Sequence, residues 1–256
     1  TLIHKNEKYR NRRYTFVVEE INEEKSNLIL KGKLSGNMHV FDEVYVYSLE
    51  NDAFTVHILS IRMNEKTCRK AKDGNVEIIV KKNEKTKLIK KYCVLSDIIA
   101  VSDSMHDNQN ELPYIRGLLS VYDVCHDDPH FTSLVLWLIS HANLLVCAKS
   151  TTEHRGDIMD PLQENTSAAF MSVSTSADEN LFILPAFTDW DALHRWSSMM
   201  MEKDAVTLIM KYEEVEKIME NGFGGIVINP FGPQPFFMPE QLCKTILQMN
   251  QSEDDK

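Results

Sequence analysis

The chain has 256 residues, 43% of them hydrophobic, a net charge of −10 at neutral pH and five cysteines, enough apolar material for one large or two ordinary domains and too much for a disordered chain. Its longest apolar stretch, Phe131 to Cys147, is broken by Thr132, Ser133, Ser140, His141 and Asn143 and falls short of the ~20 apolar residues of a membrane span. Thr1 to Arg13 is basic but leads into no apolar signal core, so the expected address is the cytoplasm, with no membrane partner.

From Tyr9 to Ser96 short alternating runs are separated by Gly, Asn, Asp and Lys clusters: Tyr14 to Val18, Leu28 to Leu34, Val44 to Tyr47, Phe54 to Met63, Val76 to Val80 and Tyr92 to Leu95. Regular short strands with turn punctuation predict an all-β barrel or sandwich. Residues 1–96 carry 19 Lys+Arg against 13 Asp+Glu, and residues 97–256 carry 9 against 25. Halves of opposite sign predict two domains, here 1–97 and 113–256 joined by a polar, aperiodic linker, 98–112.

The second half reads as helices alternating with strands. Pro113 suits a first helical turn with Ile115, Leu118, Leu119 and Tyr122 on one face, and Asp128-Pro129 caps and opens a second helix that buries Phe131, Leu134, Val135 and Leu138. A strand over Leu144 to Ala148, a polar loop from Lys149 to Ser167 and strands over Ala169 to Val173 and Leu181 to Ala186 follow. A helix then starts with Thr188 as cap and Asp191 completing the box. Next come a strand over Val206 to Met210, a helix over Lys211 to Asn221 stopped by Gly222, strands over Gly225 to Asn229 and Phe236 to Met238, and a helix over Pro239 to Met249. This alternation predicts an α/β domain with a mixed sheet.

Two family resemblances attach to these segments. Lys31-Gly32-Lys33-Leu34-Ser35-Gly36-Asn37-Met38 with Asp42-Glu43-Val44-Tyr45-Val46, followed by Ala71 to Ile78 and Ile89 to Ser96, resembles the second β-barrel domain of translational GTPases. Phe41 and Tyr92 stand where that family usually has glycine, and the chain has no Gly-x-x-x-x-Gly-Lys-Ser/Thr loop for a GTPase domain. Leu181 to Trp190 and Gly225-Ile226-Val227-Ile228-Asn229-Pro230-Phe231-Gly232, with Ala142 to Val146 upstream, resemble the amino-terminal domain of the SseB family. This second resemblance implies an α/β fold and a bacterial origin, names no reaction, and implies a further carboxy-terminal domain with no counterpart read here.

Candidate chemistry is sparse. Cys125-His126-Asp127-Asp128-Pro129-His130 groups possible metal donors, but Pro129 interrupts the i,i+4 geometry a zinc helix needs, and Asp128 serves as a cap, so no metal is assigned. The five cysteines form no Cys-x-x-Cys pair and read as reduced thiols. His141, His154 and His194 lack a partner nucleophile motif, Arg155-Gly156-Asp157 reads as a turn, and Met199-Met200-Met201 reads as core. Asn221 to Gly225 follows a helix and reads as its left-handed stop.

Asn229-Pro230 ends a strand of the α/β sheet beside Phe231, where ligands of open sheets gather, and Asp189 and Trp190 end another. These five residues are the candidate surface site, set against a turn and a helix start needed only for folding. No catalytic residue and no cofactor is assigned. Three functions remain: a non-enzymatic interaction or adaptor protein, an RNA- or ribosome-associated factor, and a small-ligand sensor or enzyme at the Asn229-Pro230 edge. The RNA reading rests on Arg10, Arg12, Arg13, Lys31, Lys33, Lys81 and Lys82 within residues 1–97.

Overall fold

The computed structural model describes residues 13–103, 109–150, 168–174, 181–200, 205–219, 222–232 and 234–254. The loop residues 151–167, with His154 and Arg155-Gly156-Asp157, lie outside these, as do Arg10, Arg12 and the side chains of Met199, Met200 and Met201. Contacts divide the chain into two compact units, 1–101 with 111–135, and 102–110 with 136–256.

The first unit is an antiparallel β-barrel whose eight strands are β1 (Thr15–Glu24), β2 (Asn27–His39), β3 (Glu43–Tyr47), β4 (Phe54–His57), β5 (Ser60–Met63), β6 (Lys66–Cys68), β7 (Lys70–Lys81) and β8 (Val94–Ser96), paired in the order β4-β3-β8-β1-β2-β7-β5-β6. Strict alternation in β2 puts Leu28, Leu30 and Leu34 inward and Ile29, Lys31 and Lys33 outward, the period-2 pattern of a half-buried strand. With Phe16, Val44, Val46, Ile61, Ile78 and Leu95 they form one core.

The run Phe54 to Met63, expected as one strand, is two. Ile58 N–H donates to Asp42 O at 3.0 Å while Leu59 N–H donates to Ile79 O at 2.8 Å, so the backbone leaves one neighbour and joins another between those residues. Phe41 (φ 71°) and Tyr92 (φ 69°) both take the left-handed conformation, which costs a residue with a bulky side chain and which glycine adopts freely.

The same unit contains α1 (Pro113–Leu119), α2 (Tyr122–Cys125) and the start of α3 (Pro129–Ser140). Helix α1 lies against β8: a Cβ on Gly117 would stand 2.6 Å from Val94 Cγ1, so only glycine allows this approach. Asp128 caps α3 through His130 N–H at 3.0 Å and accepts a 2.6 Å bond from the Tyr92 hydroxyl. The ring of Tyr92 meets Phe131 edge-on at 4.9 Å.

In the second unit β11 (Asn143–Ser150) pairs antiparallel with β15 (Ala205–Lys211), and with β12 (Ala168–Phe170) and β14 (Phe182–Phe187). Strand β14 also pairs with the short β13 (Val173–Ser174). It runs parallel to β16 (Gly225–Ile228), which pairs antiparallel with β17 (Phe236–Pro239), so the sheet is mixed. Helix α4 (Trp190–Met200) covers Leu145, Cys147 and Phe187 with Leu193 and Trp196. Helices α5 (Tyr212–Met219) and α6 (Glu240–Asp254) contact β11, β15, β16 and β17. Gly222, at φ 97°, stops α5 with its N–H on Met219 O. Among the described residues no helix is long and apolar enough to cross a membrane. All five cysteines are free thiols, and burial pushes those of Cys93, Cys147 and Cys243 above their ordinary range.

Two further short strands, β9 (Val101–Asp103) and β10 (Gln109–Glu111), pair with each other inside the segment expected as a linker. Asn110 is buried and donates its amide to Asn143 O at 3.0 Å and Thr188 O at 3.3 Å.

Candidate functional site

The parallel pairing of β14 with β16 sets Ala186 beside Ile228, which brings the next residues of both strands, Phe187 to Asp189 and Asn229, to the same sheet end. Asn229 turns the chain there at φ 52°, a conformation asparagine tolerates better than other residues with a Cβ. Its N–H still donates to Ala186 O at 2.8 Å, and its carbonyl accepts from Gly232 N–H at 2.8 Å, so Pro230 and Phe231 form the tip of a closed turn.

The side chains below that tip are spent on one another. Asn229 Oδ1 accepts the Thr188 N–H at 3.1 Å, and Asn229 Nδ2 donates to Thr188 Oγ1 at 2.9 Å. The Thr188 hydroxyl donates to Asp189 Oδ2 at 2.8 Å, while Asp189 Oδ1 accepts the Ala192 N–H at 2.9 Å. Thr188, Asp189 and Asn229 are all buried, and a buried polar group that found no partner would cost about 1–3 kcal/mol. The cap of α4 is thus Asp189, where the expectation was Thr188: the Thr188 hydroxyl is turned to bridge Asn229 and Asp189 instead.

Of the five candidate residues, Asn229 and Asp189 meet through Thr188, and Trp190 is half-buried against the apolar cluster of α4, 6.2 Å from His194 between ring centroids. Pro230 and Phe231 stay at the surface, Phe231 38% exposed. Thr188 and Asn110, which complete the polar network, were not legible as site residues: Thr188 reads as a helix cap, and Asn110 sits in a polar run that gives no sign of burial. The chemistry this arrangement offers is rigidity: an internally satisfied hydrogen-bonded base under an apolar tip.

The other candidates are dispersed. Among the described residues no three His, Cys, Asp or Glu side chains gather to hold a metal. His126 stacks on Tyr122 with Nδ1 3.1 Å from Tyr122 O, while Asp128 faces Tyr92 and Lys91. His141 stacks on Trp137, and its Nδ1 lies 2.9 Å from both Trp137 O and Ser140 Oγ. Of the proposed phosphate contacts, Arg13 forks onto Glu111 with bonds of 2.7 and 3.2 Å, Lys31 lies between Glu20 and Glu77, and Lys82 pairs with Glu23.

No curated protein matches the chain. Among solved structures, translation elongation factor SelB from Methanococcus maripaludis, in complex with a GTP analogue, aligns at 13% identity and a TM-score of 0.31, over 62% of this chain and 32% of its own; the chain spans about a third of that protein's length. Residues 116–243, half of the chain, match the sequence model of the SseB protein N-terminal domain, and with the mixed sheet and its Asn229-Pro230 turn in place the chain belongs to the SseB family.

Proposed function

We propose that this chain is a non-enzymatic interaction protein, and that it holds a protein partner through the apolar tip at the sheet end of its SseB domain. The observation that carries this reading is the contrast at one turn: Asn229, Thr188 and Asp189 are buried and hydrogen-bonded to one another, and Phe231, two residues on from Asn229, is left 38% exposed. Phe237, in the strand that follows that turn, is 45% exposed. Large aromatic side chains held on a rigid base lose little entropy on binding and are frequent anchors of interfaces.

The test is reversible crosslinking and affinity capture from the native host with the full chain, Phe231→Glu and Phe237→Glu. The reading predicts one protein captured in stoichiometric amount by the native chain and lost with Phe231→Glu, whose melting temperature stays within about 3 °C of native because the side chain is exposed. Capture that survives both substitutions removes the tip as the interface. A metabolite that raises the melting temperature of the native chain, and not that of Phe231→Glu, would favour a ligand sensor.

A further inference from the structure

From the last residue of β7 into the connection to β8, residues 81–91 include six lysines, Lys81, Lys82, Lys85, Lys87, Lys90 and Lys91, and one carboxylate, Glu84. A like-charged block of this density repels itself and ordinarily remains a solvated tail. Here it is pinned. Asn83 N–H donates to Thr86 Oγ1 at 2.8 Å, and Thr86 N–H returns a bond to Asn83 Oδ1 at 2.9 Å. Thr86 and Ile89 are buried, and Lys90 N–H donates to Cys93 Sγ at 3.2 Å. Lys82 N–H donates to Ser26 O at 2.8 Å, which lays the loop beside the β1–β2 turn and adds Lys25, together with Glu23 and Glu24, to the same end of the barrel.

Carboxylates meet part of this charge: Glu23 pairs with Lys82, Glu84 with Lys87, Glu50 with Lys90 and Asp128 with Lys91. Exposed pairs of this kind are weak and exchange readily for another anion. Lys25, Lys81 and Lys85 have no carboxylate partner among the described residues. A barrel needs no such concentration of ammonium groups for folding, and holding it in a fixed loop works against its own repulsion.

We propose that the lysine loop 81–91 is a sequence-independent docking site for the phosphate backbone of a nucleic-acid duplex. This goes beyond the protein-binding tip and uses a different unit of the chain. The composition selects the ligand. Residues 81–91 contain no arginine to fork onto a base edge and no aromatic to stack on an unpaired base, and Tyr92 is buried. Lysine ammonium groups are mobile point charges suited to phosphate oxygens and carry no sequence information. The chain as a whole is acidic, so the attraction acts only locally, within a Debye length of about 10 Å at 0.1 M salt, and must weaken steeply as salt rises.

The experiment is fluorescence anisotropy of a labelled 20-base-pair RNA duplex titrated with the full chain at 50 and 200 mM salt. Expected are binding at 50 mM, at least tenfold weaker binding at 200 mM and equal affinity for a duplex of scrambled sequence. Lys81→Gln/Lys85→Gln should bind at least tenfold more weakly at 50 mM with an unchanged melting temperature. Its log–log salt slope should be smaller by roughly 2, about one unit for each phosphate contact removed. No anisotropy change at 50 mM overturns the proposal, as does an unaltered salt slope in the double variant. A single strand that binds more tightly than the duplex overturns it too. Leu88 is exposed within the loop; binding to phosphatidylserine vesicles, lost with Leu88→Asp, with none to the duplex would reassign the loop to a lipid surface.

Discussion

Asn229 combines two demands that no other side chain meets at once, a left-handed φ and an amide that gives one bond and takes one at Thr188. Asn229→Ala loses both bonds and strains the turn, for an expected loss of about 2–4 kcal/mol in chemical denaturation. Asn229→Gly loses the bonds without the strain and should destabilise less; equal losses would mean that the conformation costs nothing. Asp97 shows the reverse balance. It accepts the Tyr14 N–H at 3.0 Å, but burial pushes its carboxyl up to about 6, with the Asp42 charge adding to the shift and Arg13 opposing it. Because the folded value lies above the unfolded one, the folded chain binds the extra proton. Asp97 therefore weakens stability progressively as pH rises from about 4 through 6, and the full penalty stands above that. Asp97→Asn keeps an acceptor for Tyr14 and should unfold later than the native chain at pH 7.5, by about 1–2 kcal/mol once solvent screening is allowed for. The gain should vanish at pH 4; a gain independent of pH would show that charge is not the cause. In the sequence Asp97 reads only as the last residue of the first domain, because burial of a carboxylate leaves no local mark.

At the level of elements, legibility follows the source of the pattern. Strand β2 and the caps of α3 and α5 were readable because alternation, Asp128-Pro129 and Gly222 are local signals. The break at Ile58–Leu59 and the Asp189 cap were not, because a change of strand partner and a Thr188 hydroxyl drawn off by Asn229 are set by residues distant in sequence. The polar members of the site were half legible for the same reason: the Asn-Pro turn announces itself, and what lies under it does not. The bond from Tyr92 to Asp128 links barrel to helix within the first unit. That hydroxyl, then Lys91 and the His130 and Phe131 amides, hold the Asp128 carboxyl down at about 2. Its folded value lies below the unfolded one, so its contribution is present above about pH 4 and is lost as pH falls from there through 2. Tyr92→Phe removes the strongest of these bonds and lets the carboxyl rise, so it should lower stability at pH 7, where the contribution stands in full, and its deficit against the native chain should shrink as pH falls from about 4 through 2. A deficit that chemical denaturation finds equal at pH 7 and pH 2 would show that the hydroxyl does not act through the Asp128 charge.

For the molecule as a whole the sign of charge divides the chain near residue 97, but contacts divide it elsewhere. Residues 111–135 belong with the barrel and 102–110 with the α/β unit. Charge reports solvent-facing residues, whereas a domain is defined by what its buried residues touch; Ile115, Leu118, Leu119 and Phe131 are buried, and Gly117 lets α1 close on Val94 of β8. We propose that 1–97 is therefore an incomplete barrel, and that the smallest stable amino-terminal fragment extends to residue 135. Removing α1, α2 and the start of α3 uncovers Val94 and strips Tyr92 of both Asp128 and Phe131. At about 1.5–3 kcal/mol for each large side chain that loses its burial, much of it shared between contacting surfaces, a net loss of about 3 kcal/mol is expected. In a fragment of this size that lowers the melting temperature by more than about 10 °C. In fragment 1–135 Asn110 would be released from Asn143 and Thr188, and closing so short a connection adds little to the cost. Thermal unfolding of fragments 1–97 and 1–135, followed side by side, gives the comparison. A single cooperative transition in 1–135 and an early, broad one in 1–97 is the expected result, and two transitions at the same temperature would make the helices passengers on a barrel that needs none of them.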